Sequence, residues 1–91
     1  MISSLTIFGQ MQFYKGQVKD VTGKSLEGIT VTSLDSKKRT LTNLDGQFSI
    51  QAKKGTKITF SGIGVESKTI EVGSDFTMNI VLDIKFSELN D

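Results

Sequence analysis

The stretch "TNLDGQFSI", residues 42–50, decides how the rest of the chain is read. Asp45 followed by Gly46 is the pair a tight β-turn needs. An Asp carboxylate accepts hydrogen bonds from its own downstream backbone, and Gly takes positive φ without a steric penalty. Past the turn, Phe48 and Ile50 alternate with Gln47, Ser49 and Gln51, the period-two pattern of a strand with one face in a core and the other in water. Asp45, Gly46 and Phe48 are therefore read as a structural turn motif that starts a strand. A calcium loop would gather several acidic residues within about a dozen positions, and Asp45 stands nearly alone.

The same rhythm extends in both directions, and no long window places apolar residues at helical spacing. Upstream, a strand over residues 14–20 puts Tyr14, Gly16 and Val18 on one face. The turns "DVTGK" and "SLEG" lead into "ITVTS", where Ile29 and Val31 point one way and Thr30 and Thr32 the other. "SLDSKK" is a loop and "RTLT" a short strand around Leu41. Downstream, "KKG" closes the Phe48 strand, and "TKITFS" puts Ile58 and Phe60 on one face. "GIG" breaks the chain at residues 62–64. In "VESKTIEV", Val65 has the opposite parity to Ile70 and Val72, which predicts a β-bulge or a change of sheet between them. After "GSD", the strand "FTMNIVLD" is expected to bury Phe76, Met78, Ile80 and Leu82. Seven short strands at turn spacings of about 8–12 residues predict an all-β, antiparallel β-sandwich.

Composition bounds the chemistry. A chain of 91 residues is one domain or part of one. It has neither Cys nor His, which excludes the usual zinc sites, Cys nucleophiles, Ser-His-Asp triads and imidazole catalysis within the chain. A carboxylate pair for glycoside chemistry finds no support either. Glu66 and Glu71 lie an odd number of residues apart, on opposite faces of a regular strand, and Asp35 and Asp45 each sit in a turn. Eleven basic and ten acidic residues are interspersed, unlike a nucleic-acid surface. The basic run "SKKR", residues 36–39, and the pair Lys53 and Lys54 read as solvated turns. The opening "MISSLTIFGQ" is uncharged and mildly apolar. It is read as a secretory-signal remnant ending at Gly9, an extra edge strand or a disordered tail, and no stretch is long enough to span a membrane as a helix.

The order of these pieces resembles the carboxypeptidase-regulatory-like domain. That family runs G-x-V-x-D, then G-x-x-L-x-G-v-x-V, then a T-D-x-D-G-x-F-x-I turn and strand, then a strand leading into "IGY". The matching positions are Gly16, Val18, Asp20, Gly23, Leu26, Gly28, Ile29, Val31, Thr42, Asp45, Gly46, Phe48, Ile50, Ile58, Phe60, Ile63 and Gly64. Gly23, Gly28, Gly46 and Gly64 fall at turns and the apolar matches are read as inward strand positions. Asn43 replaces the family's acidic residue and Val65 its aromatic. The resemblance implies a transthyretin-like, Greek-key sandwich over residues 15–83, preceded by a leader over residues 1–14 and followed by a linker over residues 84–91.

Hosts of this domain vary. In the Bacteroidetes the commonest are SusC/RagA-like TonB-dependent outer-membrane transporters, in which it follows the signal peptide and precedes plug and barrel. An acidic "L-[DN]-[ED]-V-V-V" segment there leads into the region engaged by TonB, and Leu89, Asn90 and Asp91 look like its start. The implied function is a non-catalytic periplasmic extension of a nutrient transporter, a monomeric interaction or spacer module without cofactors. Its partners would be the plug and barrel of the same polypeptide and the periplasmic energy-coupling machinery. A second reading is a glycan- or surface-binding module. It is disfavoured because such faces carry exposed aromatics, whereas Trp is absent and only Phe8, Phe13 and Phe86 lack inward parity. A third, an accessory domain of a metallopeptidase, follows from the family name by analogy.

Overall fold

The computed structural model describes residues 11–85. Within them run β1 (Gln12–Asp20), β2 (Thr30–Ser33), β3 (Arg39–Leu41), β4 (Gln47–Ala52), β5 (Lys57–Ser61), β6 (Lys68–Glu71) and β7 (Thr77–Leu82). They form one sheet in the order β4-β1-β7 and a second in the order β3-β2-β5-β6. Period-two alternation decides what lies between them: Tyr14 and Val18 of β1, Val31 of β2, Phe48 and Ile50 of β4, Ile58 and Phe60 of β5, and Ile80 and Leu82 of β7 are all buried. The chain is a β-sandwich.

Two aromatic side chains help fasten the sheets to each other. The rings of Phe48 and Phe60, from opposite sheets, meet edge to face at 5.4 Å between centroids, a geometry that adds about 0.5–1.5 kcal/mol beyond the area it buries. The Tyr14 hydroxyl donates to the Gly73 carbonyl at 2.8 Å, tying β1 to the turn after β6. Burial of that ring pushes the phenol upward from its ordinary pKa. Buried Thr42 accepts from Ile29 N–H at 2.9 Å and donates to the Leu26 carbonyl at 2.7 Å. One hydroxyl thus serves two backbone groups that would otherwise lack partners in the interior.

Every strand pairing among the described residues is antiparallel except one: β1 and β7 run parallel, with Gly16 opposite Met78 and Val18 opposite Ile80. Turn spacing reports only neighbours in sequence, and this pair is brought together after the chain has traversed the second sheet.

The structure adjusts three local expectations and decides a fourth between its alternatives. β1 starts at Gln12 rather than Tyr14. Phe76 precedes β7 and stays 47% exposed. Its backbone carbonyl accepts from Lys15 N–H, and its ring lies 5.3 Å from that of Tyr14 as a partial cover. Ile63, read with the inward positions, is fully exposed at the tip of its turn, because Ile29 and Val65 already fill the space beneath Gly62. The parity break at Val65 is a change of sheet. Val65 bridges to Ile84, just beyond β7, while β6 pairs with β5 in the other sheet.

Candidate functional site

The β3–β4 turn is organised by Asn43, not by the Asp45 carboxylate. Asn43 Oδ1 accepts from the N–H groups of Asp45 and Gln47, both at 2.9 Å, and its backbone carbonyl accepts from Gly46 N–H at 2.8 Å. The side-chain amide therefore mimics a backbone turn. The acceptor role assigned to Asp45 from sequence sits two residues earlier because a carbonyl oxygen at position 43 reaches both N–H groups at once. Asp45 itself is exposed and contributes its backbone carbonyl, which accepts from Gln17 Nε2 at 2.8 Å. Gly46 is buried with φ of 75°, and Phe48 enters the core. Replacing Asn43 by Ala should lower stability by about 1 kcal/mol, since the N–H groups it serves can turn to water. Asp45→Ala should stay within about 0.5 kcal/mol of the parent. Paired urea titrations check this contrast, and equal losses would return the turn to Asp45.

A second carboxylate is built in more tightly. Asp20, at the end of β1, accepts from the Thr22 hydroxyl at 2.6 Å, the Thr22 N–H at 2.8 Å and the Lys24 N–H at 3.1 Å. The Thr22 hydroxyl, then the Lys24 and Thr22 N–H groups and the Lys24 charge, hold its carboxyl below its ordinary pKa of 3.8, against the opposing effect of burial. A depressed folded pKa stabilises the fold above the unfolded value, and that contribution is lost as pH falls from there through the folded value. Stability should therefore decline on acidification below about pH 4, and less steeply in Asp20→Asn. An unchanged acid limb in that variant would mean the loop hydrogen bonds carry no linkage.

Among the described residues four strands are sheet edges: β4 and β7 in one sheet, β3 and β6 in the other. The β6–β7 side is closed at one end by Glu66 N–H donating to the Asp83 carbonyl at 2.9 Å and Lys85 N–H to the Gly64 carbonyl at 2.8 Å, and the loop over residues 72–76 crosses its other end. Beyond that closure a shallow groove runs between Ile70 and Met78, both only partly buried. A second groove lies between β3 and β4, flanked by Thr40, Leu41, Gln47 and Ser49. Among the described residues no group of three or more acidic side chains is placed to hold a metal ion. Asp35 lies in the β2–β3 turn, 3.5 Å from Lys53. Phe13 is 60% exposed, on the opposite face of β1 from Tyr14. Leu89, Asn90 and Asp91 lie outside the described residues, as do Phe8 and Phe86.

Two packed sheets with exposed edges define an all-β sandwich domain. The chain belongs to the CarboxypepD_reg-like domain family, whose model matches residues 14–90. It is 35% identical over 79 residues to the TonB-dependent receptor SusC of Bacteroides thetaiotaomicron, an alignment that spans 87% of this chain and 8% of that protein. The chain therefore corresponds to a small part of that relative's length. Among solved structures, a streptococcal ancillary pilin superposes with a TM-score of 0.52 at 10% identity, over 86% of this chain and 33% of the pilin chain. That likeness is one of fold.

Proposed function

We propose that this chain is the periplasmic N-terminal extension of a TonB-dependent outer-membrane transporter for glycans or related nutrients, acting without catalysis as a spacer and interaction module. The observation that carries the reading is the 35% identity to SusC across 87% of the chain. The geometry is compatible with a spacer. Because β1 and β7 lie side by side and parallel, the described chain enters at one pole and leaves at the other, about 30 Å away for a strand of the length of β1. Residues 84–91 would then form the linker toward the energy-coupling segment, with Leu89, Asn90 and Asp91 at its start, and the plug, the barrel and the coupling machinery as partners. The exposed edges offer strand addition as the means of association.

The test is to read the gene beyond Asp91. Continuation into a "VVV" segment, a plug and a long series of alternating strands upholds the reading. A stop codon, a peptidase or another sandwich at that point overturns it.

A further inference from the structure

Two basic runs that are separate in sequence meet at one pole of the sandwich. The β2–β3 hairpin closes through Ser33 N–H to Lys38 at 2.8 Å and Lys37 N–H to Ser33 at 2.7 Å, and Leu34 N–H donates to the Lys57 carbonyl at 2.9 Å. That last bond sets the β2–β3 loop against the β4–β5 loop. Lys37, Lys38, Arg39, Lys53, Lys54 and Lys57 are thereby gathered, six of the eleven basic side chains in the sequence. Asp35, Glu71 and Asp75 share this pole, with Asp35 beside Lys53 and Glu71 across from Lys57. The balance remains positive in a chain whose net charge is only +1. Between the loops runs a groove lined by Leu34, Asp35, Lys53, Lys54 and Lys57, and Leu34 is half exposed within it.

Lys37 adds an independent observation. It is the one non-glycine residue with positive φ, at 62°, among those described. Glycine would relieve that conformation at the tip of an exposed hairpin, yet a lysine occupies it. A side chain kept where the backbone disfavours it points to a use for the side chain.

We propose that this basic pole docks an acidic polypeptide segment that carries an apolar side chain. The segment's carboxylates would lie along the lysines and its apolar residue would cover Leu34. A polypeptide fits better than a lipid surface on two counts. Leu34 sits in the groove between the two loops, and Asp35, Glu71 and Asp75 break the sheet of positive charge that an anionic membrane would meet. The proposal rests on the transporter reading in one respect: the pole is the one where β1 begins, opposite the exit of β7, so in such a host it faces away from the following domains and is open to a periplasmic partner.

The experiment is an amide-shift titration of the 15N-labelled chain at low ionic strength. The probe is a short peptide of Glu with interspersed Leu, compared with the same peptide carrying Gln for Glu, with inorganic phosphate, and with phosphatidylglycerol vesicles. The acidic peptide should shift residues 33–39 and 53–57, and added salt should weaken it. Lys38→Glu combined with Lys54→Glu should weaken it about tenfold or more. Both side chains are exposed, so the fold should be retained, and the unshifted remainder of the spectrum verifies that. Lys37→Gly should raise the melting temperature while weakening the peptide. No shifts, shifts elsewhere, equal binding of the Gln peptide, phosphate matching the peptide, or binding to vesicles alone would each overturn the proposal. Failure here leaves the family and the transporter reading untouched, whereas a gene lacking plug and barrel would sink that reading without altering the titration.

Discussion

Gly46→Val should destabilise the domain by about 3 kcal/mol or more, a large part of the total stability of a domain this small. Two effects combine. At φ of 75° a β-branched side chain meets its own backbone, at roughly 1–2 kcal/mol. Gly46 also packs against β1: a Cβ there would stand 2.5 Å from the Val18 carbonyl oxygen and 3.2 Å from the Leu26 nitrogen. Those atoms cannot swing away as a flexible side chain would. The Val18 carbonyl accepts from Leu26 N–H at 2.9 Å, and Val18 N–H donates to the Gly46 carbonyl at 2.8 Å. Accommodating even one methyl means parting β1 from the turn, an overpacking cost of about 1–3 kcal/mol. Gly55→Ala is the internal control. Its φ is 90° and a Cβ would meet nothing within 4 Å, so it should lose only about 1 kcal/mol. Urea denaturation of Gly46→Ala beside Gly55→Ala separates conformation from close approach. Equal losses would show that the contact with β1 is absent.

What could be read from the residues alone follows a simple division. Local alternation is written in each strand, so the inward faces of the strands carrying Val31, Phe48 and Phe60 are legible without a structure. Turn chemistry is legible at Gly46, because positive φ at the end of "NLDG" leaves glycine the one residue at ease there. Relations between distant segments are not legible. Nothing in the composition of β1 or β7 specifies that they pair in parallel, nor that "SKKR" and "KKGTK" close on the same pole. Phe76 and Ile63 mislead for a related reason. Their parity or their place in a family pattern suggests burial, but Phe76 lies before its strand begins and Ile63 caps a turn over space already filled. Asn43 is an instance of chemistry hidden by a better-known neighbour, since "DG" draws the eye while the amide two residues earlier makes the hydrogen bonds.

The parallel pairing of β1 and β7 can itself be tested by a single methyl. Gly16 lies mid-strand with no unusual φ, so conformational freedom does not explain it. Space does. A Cβ at residue 16 would collide with the Met78 carbonyl oxygen and stand 3.0 Å from the ring of Phe48. Gly16 is thus the gap through which β7 approaches β1 on one side while the Phe48 ring closes over it on the other. Gly16→Ala should lower stability by about 3 kcal/mol or more, with the strongest loss of amide protection along β7. The cause can be apportioned. If the Phe48 ring were the main obstacle, Phe48→Leu in the Gly16→Ala background would recover part of the loss, because a side chain can be shortened. If the β7 backbone is the obstacle, as the collision with the Met78 carbonyl indicates, the second substitution adds its own cavity cost and recovers nothing. A well-tolerated Gly16→Ala would remove the close approach of the two strands. With it would go the arrangement that sends the chain in at one pole and out at the other, on which the spacer reading and the accessibility of the basic pole both depend.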